Sequence, residues 1–143
     1  MFRATALSMA LISLSACIVV DDDDNNNPPP QNYPPTVVAG EAGCYYDDYN
    51  HDFIWYFTAE VHDPNGPGDV MMVWGDVYDA YGNPVDSFEL YPEGQSPEIW
   101  FSDWLQYSTY LDCYYGGYVV DLVAYDYTES YHAISVYPYT EAR

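Results

Sequence analysis

Two groups of acidic and amide side chains are the residues of this chain that could bind a metal ion. Each group flanks one end of an alternating, strand-like run, and each supplies the hard oxygen atoms that Ca²⁺ prefers. Because roughly 35 Å of strand separates the groups, one site could use either group but not both. Turn formation explains the same residues without any ion. The candidate ligands are Asp47, Asp48 and Asp52 in the first group, and Asp63, Asn65 and Asp69 in the second.

The chain lacks the spacings that catalysis or phosphate binding would require. His51, His62 and His132 are too scattered for a known zinc motif, and neither an HExxH nor a CxxC spacing occurs. Glycines such as Gly66, Gly68 and Gly82 lie in predicted turns, and a chain without Lys has little with which to hold a phosphate. We therefore expect no enzyme activity and no cofactor, with Ca²⁺ left open.

Aromatic side chains are the second chemical resource of the chain, which contains 18 Tyr and 4 Trp. Tyr56, Trp74 and Tyr78 occupy the outward positions of predicted strands and could line a ligand platform for a sugar ring or a protein partner. Alternatively, these rings only cover the sheet and keep their polar atoms in water. Either a protein or a polysaccharide partner is compatible with this composition.

The N-terminal segment combines one positive charge, at Arg3, with an apolar run from Ala4 to Leu14. The run ends in Leu14-Ser15-Ala16-Cys17, which resembles the lipobox of bacterial lipoproteins. The resemblance implies that residues 1–16 are a signal peptide. It also implies that Cys17 carries a lipid anchor, with a diacylglycerol on its sulfur and a fatty acyl chain such as palmitate on its amine. The residue after Cys17 is Ile18 rather than Asp, so the resemblance favours the outer membrane. We expect the domain to face the periplasm or the cell surface. An ordinary secretion signal is the alternative.

Charge and composition set the next segment apart and limit the possible partners. Residues 17–35 are rich in Asp, Asn and Pro, which predicts an extended, disordered tether. The four-residue Asp run could instead be a sorting signal. After cleavage, the chain keeps all 23 acidic residues, and Arg143 is the one Lys or Arg that remains. Such a chain repels nucleic acid phosphates and anionic lipid headgroups, so we expect no nucleic-acid binding and membrane contact through the lipid at Cys17 alone.

Short alternating runs separated by turns occupy the rest of the chain and predict about seven strands. In the run 98–105, we expect Ile99, Phe101 and Trp104 to face the core. The run 118–125 is apolar on both faces, which predicts a central strand. The predicted strands are 36–39, 51–62, 70–79, 85–90, 98–105, 118–125 and 131–137.

Three segments resemble strands of bacterial immunoglobulin-like domains. Val61-His62-Asp63-Pro64-Asn65-Gly66 followed by residues 73–79 is similar to their second and third strands, and residues 120–126 are similar to their penultimate strand. The resemblance covers most of residues 36–138 and implies an all-β, antiparallel, immunoglobulin-like β-sandwich over residues 36–143. These motifs describe packing and turns, so they imply no activity.

Cys44 and Cys113 remain as a pair once Cys17 carries lipid. In an exported protein, such a pair favours a disulfide over a metal pair or free thiols. Neither cysteine lies in the middle of the two strands that antibody domains cross-link.

Together these observations predict a membrane-anchored envelope lipoprotein with a structural or adhesive recognition role, or alternatively a calcium- or carbohydrate-binding surface module.

Overall fold

A computed structural model describes residues 31–140, which form an all-β domain. Two short 3₁₀ turns, Pro67–Asp69 and Gln106–Ser108, are the helical elements of this part of the chain, and no helix in it is long and apolar enough to cross a membrane. The predicted signal peptide, the predicted lipidation site Cys17 and residues 17–30 of the predicted tether lie outside the described residues. The strands are β1 (Thr36–Asp47), β2 (Asp52–His62), β3 (Val70–Tyr78), β4 (Pro84–Glu93), β5 (Ser96–Leu105), β6 (Val119–Asp126), β7 (Tyr131–Val136) and β8 (Tyr139–Thr140).

The strands form one curled sheet in the order β7-β6-β3-β4-β5-β2-β1-β8. All neighbouring pairs are antiparallel except β1 and β8. Strand β4 joins two halves of the sheet, because residues 84–90 pair with β3 and residues 91–93 pair with β5. The sheet curls until β1 approaches β7, where the Val37 N–H donates to His132 Nδ1 at 3.2 Å.

The alternation expected for β2 and β3 is confirmed. In β2, every second side chain from Phe53 to Val61 is buried, while the residues between them are half-buried or exposed. In β3, Val73 and Val77 are fully buried, and Gly75 lies between them beneath Phe57. A period of two is a reliable signal here because each strand has one face on the core.

The inward face predicted for β5 is wrong. Trp100 and Ser102 are buried, whereas Ile99 and Phe101 lie on the outer face. Trp100 pairs with Ala59 of β2, whose small side chain leaves room for the indole ring. Trp104 lies at the strand end with its ring 5.7 Å from that of Phe88, and its side chain is 38 % exposed.

The remaining strand predictions differ from the structure in number and length. The first strand extends to Asp47 rather than ending at Ala39, and an eighth short strand, β8, pairs with β1. Strand β6 is flanked by β3 and β7, as expected for a run that is apolar on both faces. Residues 31–35 lie against the domain, since Asn32 Nδ2 donates to Asp126 Oδ2 at 2.8 Å and Pro35 is buried.

The core lies between the two halves of the sheet. The Phe57 ring of β2 stacks on Phe88 of β4 with centroids 4.7 Å apart, and Trp55 meets Tyr118 edge to face at 5.8 Å. A Cβ added at Gly75 would lie 3.4 Å from the Phe57 ring, which is an ordinary van der Waals distance, so the packing of the two halves at this position does not require a glycine. These contacts fix which strand faces point outward.

The expected cysteine pair is confirmed at disulfide distance. Cys44 of β1 and Cys113 of the β5–β6 connection have Cα atoms 5.9 Å apart and are bonded through their sulfurs. Both side chains are buried. The bond therefore attaches a long connection to the edge of the core.

The antiparallel registers bring the connections together at two ends of the domain. At one end, the tip, lie the connections 48–51, 79–83, 106–118 and 137–138. At the other end, the base, lie residues 31–35 and the connections 63–69, 94–95 and 127–130. The described chain thus begins at the base.

Candidate recognition surface

The most exposed aromatic side chains of the described domain all lie at the tip. Six tyrosines are at least 70 % exposed, and each belongs to a tip connection. No hydrogen-bond partner within residues 31–140 engages any of their hydroxyl groups. We call them the tip tyrosines: Tyr49, Tyr81, Tyr107, Tyr110, Tyr114 and Tyr137.

An aspartate fixes the backbone of five tip tyrosines. In the turn 48–51, the Tyr49 N–H donates to the Asp47 carboxylate at 3.3 Å. In the turn 79–83, the Tyr81 N–H donates to Asp79 at 2.8 Å. Both turns have the same chemistry, in which a carboxylate accepts the N–H of the residue two positions later.

In the long β5–β6 connection, three more tyrosine N–H groups donate to aspartate carboxylates. The N–H groups of Tyr107, Tyr110 and Tyr114 donate to carboxylates at 3.2, 2.9 and 2.9 Å. Their acceptors are Asp52 of β2, Asp86 of β4 and Asp112 of the connection itself. Because two of the acceptors belong to β2 and β4, hydrogen bonds attach the connection to two strands, and the disulfide attaches it to β1.

This construction holds the loop backbones while leaving the rings in solvent. An exposed Tyr supplies a large contact area and, with only two side-chain torsions, loses little conformational entropy on binding. A rigid backbone further lowers the ordering cost of association. Tyr114 packs edge to face on the buried Phe53 ring with centroids 5.3 Å apart, whereas the other five tip rings add little to the core of the described domain.

The electrostatic environment of the tip is negative. The only Lys or Arg residues of the chain, Arg3 and Arg143, lie outside the described residues, which contain 18 of the 23 acidic side chains. The side-chain hydrogen bond from Asn83, with backbone N–H donors, holds the pKa of Asp79 below its usual range. The Asp79 carboxylate therefore stays ionised well into the acidic range.

The predicted ligand platform is divided between opposite sides of the core. Tyr56 lies on the outer face of β2, across Gly43, and its hydroxyl donates to Glu41. Trp74 and Tyr78 lie on the same outer face of β3, four residues apart along the strand. The structure thus places two members of the platform on one face, and Tyr56 lies on another.

The β3 face around Tyr78 carries two carboxylates. Asp76 and Asp121 are cross-strand partners, and they accept hydrogen bonds from the Ser87 and Ser135 hydroxyls. Burial, followed by the nearby Asp76 and Asp121 charges, raises the pKa of Tyr78. Two shallow cavities of ≈ 350 and ≈ 330 Å³ flank this ring, one beside each Asp–Ser pair.

The predicted calcium ligands lie at both ends of the domain, as two separate groups. Asp47 and Asp52 at the tip accept backbone N–H groups, and Asp48 is exposed beside them. Asn65 and Asp69 lie in the β2–β3 connection at the base, where the Tyr33 N–H donates to Asn65 Oδ1. Within residues 31–140, no group of three or more His, Cys, Asp or Glu side chains is arranged to hold a metal ion.

One carboxylate oxygen of the base group lacks a partner. Asp63 is buried, and its Oδ1 accepts the Asn65 N–H at 2.7 Å. Its Oδ2 has no hydrogen-bond partner among the described residues. A buried, unpaired carboxylate oxygen is costly, so Asp63 is where a cation at the base would have most effect on stability.

The base also contains a fully buried carboxylate that sequence reasoning missed. Asp126 accepts the N–H groups of Thr128 and Ser130 and the Thr128 hydroxyl, in addition to the Asn32 amide. Burial acts to raise the pKa of Asp126, but these hydrogen bonds outweigh it and lower the pKa below its usual value. The Asp-x-Thr-x-Ser spacing is the sequence signal for this turn.

The histidines are separate in the structure. His51 is the last residue of the tip turn 48–51 and has φ 52°, and His62 at the other end of β2 lies 3.5 Å from Glu98. His132 on β7 accepts the Val37 N–H. These side chains do not converge on one another.

Comparison with protein-family models, with curated proteins and with solved structures found no match.

Proposed function

We propose that this chain is a non-catalytic recognition domain, that a lipid at Cys17 anchors it to the outer membrane, and that the tip is its binding surface. The carrying observation is the segregation of the tip tyrosines at one end of the domain. Large exposed aromatic clusters mark interaction sites, because they contribute nothing to a folded monomer. The role agrees with the adhesive or structural function expected from the sequence.

The position of residue 31 supports this orientation. Residues 17–30 join the domain through Gln31, which lies at the base. If they act as a tether, the attachment point is at the end opposite the tip tyrosines.

We keep the immunoglobulin-like β-sandwich as part of this proposal, and the grouping of the strands supports it. Strands β1, β2 and β5 form one group and β3, β6 and β7 another, while β4 pairs with both groups. Two antiparallel groups on either side of a shared core are the basic plan of a β-sandwich. In such domains, loops at one end of the sandwich form the recognition surface.

The face around Tyr78 supports a second candidate function, which is carbohydrate binding. Trp74 and Tyr78 provide ring faces, and the Asp76–Ser87 and Asp121–Ser135 pairs provide hydrogen-bonding groups for sugar hydroxyls. The two cavities beside Tyr78 are open and shallow, as a surface glycan site would be. One of these cavities reaches the tip turn 79–83, so the two candidates are separated by variants of Trp74 and Tyr78, which lie outside the tip connections.

The anchor is tested on the chain as cells produce it. Mass spectrometry of the membrane-extracted protein should find residue 17 as the N-terminus, carrying diacylglycerol and an amide-linked acyl chain. The Cys17→Ser variant should leave the membrane fraction. An unmodified Cys17 in a membrane-bound chain would contradict the anchor.

Recognition is tested with the lipidated chain in vesicles and envelope fragments from the source organism, by measuring saturable binding. The tip variant is Tyr49→Ser/Tyr81→Ser/Tyr110→Ser. The matched control is Tyr91→Ser/Tyr127→Ser/Tyr131→Ser, which removes three exposed rings near the base and also leaves the charge unchanged. Binding should be lost in the tip variant and retained in the control. Equal binding of both variants would refute the role of the tip.

A further inference from the structure

We infer that the tip binds a cationic polypeptide segment, in which arginine side chains stack on the tip tyrosines and their charge meets the adjacent carboxylates. This inference rests on the proposed recognition role of the tip. It adds the chemical class of the partner, which the envelope-binding experiment leaves open.

Each of five tip tyrosines is paired with a carboxylate. An aspartate accepts the backbone N–H of each one, so an anionic oxygen lies 2.8–3.3 Å from the backbone nitrogen of each of these tyrosines. A cation on the ring face is attracted both by the π-system and by this nearby charge. Loop stability alone does not require these rings, because the aspartates bind backbone atoms.

The charge of the whole domain favours a cationic partner. Residues 31–140 contain no Lys or Arg to offset their carboxylates. Such a field repels nucleic acids, acidic proteins and a second copy of this chain, and it attracts cationic partners over the Debye length. The charge therefore narrows the partner to neutral or cationic molecules.

The spread of the tip tyrosines favours a polypeptide that contains arginine. The tip tyrosines are distributed over four connections, so one small cation cannot contact them together. A peptide can present several cations along its length. Arginine is favoured over lysine, since its planar guanidinium stacks on aromatic faces and is more weakly hydrated than an ammonium group.

The test uses the full mature chain and short synthetic peptides of Arg-Gly-Ser repeats, with lysine and citrulline replacing arginine in two control peptides. Affinity is measured for the wild type, the tip variant, the base control variant and a charge variant, Asp47→Asn/Asp79→Asn/Asp112→Asn. Circular dichroism and thermal unfolding confirm that each protein is folded. A neutral glycan panel and spermidine complete the probe set.

We expect the arginine peptide to bind the wild type and the base control alike, and to bind the tip variant about tenfold more weakly or worse. The charge variant should also bind more weakly, and the citrulline peptide should not bind. Raising the salt concentration from about 0.1 M to 1 M should weaken binding, because the Debye length falls from about 10 Å to about 3 Å.

Three results would overturn the inference. Equal arginine-peptide affinity in the tip and base variants would mean diffuse attraction to the acidic surface. Spermidine binding as tightly as the arginine peptide would mean that no polypeptide is recognised. Tip-dependent binding of a glycan, with no peptide binding, would replace the partner class while the recognition role of the tip stands. Failure of the proposed function itself would show separately, as tip-independent envelope binding.

Discussion

Breaking the Cys44–Cys113 bond should destabilise the domain by about 4 kcal/mol. The bond closes a loop with a sequence separation of 69, and the chain-entropy model gives this value for a loop of that length. A domain of this size is stable by about 5–15 kcal/mol, so the loss is a large fraction of the total. The variant Cys44→Ala/Cys113→Ala removes the bond and keeps two small apolar side chains at the buried positions.

Urea denaturation followed by Trp fluorescence measures this change. With slopes of about 1–3 kcal/mol/M, the midpoint should fall by more than about 1 M. Wild type treated with reductant should behave like the double variant, whereas Cys17→Ser should retain the wild-type midpoint. The connection 106–118 should also become sensitive to protease, since the bond attaches it to β1. A loss below about 1 kcal/mol would refute the entropic reasoning.

Three further predictions test the packing, the base and the calcium alternative. Gly40→Ala should cost about 1–3 kcal/mol, because the new Cβ would collide with the buried Leu122 side chain; Gly75→Ala meets only ordinary contacts and should be tolerated. Asp126→Asn should make the domain less sensitive to acid. The lowered pKa of Asp126 contributes stability that is present above its unfolded value of about 4 and is lost as pH falls through the lower folded value. In acid unfolding curves, the difference in stability between wild type and variant should therefore shrink as pH falls. Millimolar Ca²⁺ should raise the melting temperature no more than NaCl of equal ionic strength; a specific rise that disappears in Asp63→Asn would instead establish a cation site at the base.

Alternation could be predicted from the sequence where one face of a strand is apolar and the other is not. This condition holds for β2 and β3 and gave their inward residues correctly. It fails for β5, where Trp100, Phe101 and Trp104 place aromatic rings on both parities. There the partner strand decides, because Trp100 lies opposite the small Ala59.

The candidate site was less accessible to sequence reasoning than the strands. Parity shows that Tyr56, Trp74 and Tyr78 point outward, but it cannot show that β2 and β3 lie on opposite sides of the core. The tip tyrosines lie in connections without periodicity, and only the strand registers bring them to one end. Their one local signal is Asp-x-Tyr, which occurs at three tip positions: 47–49, 79–81 and 112–114.

Tyrosine footprinting of the native chain tests the central claim most directly. Oxidative labelling of the lipidated protein, with and without envelope fragments, is read for each tyrosine by mass spectrometry. The tip tyrosines should be protected on binding, while Tyr127 and Tyr131 near the base should be labelled as before. Protection confined to the base, or to Trp74 and Tyr78 on the β3 face, would contradict the assignment of the tip as the recognition surface.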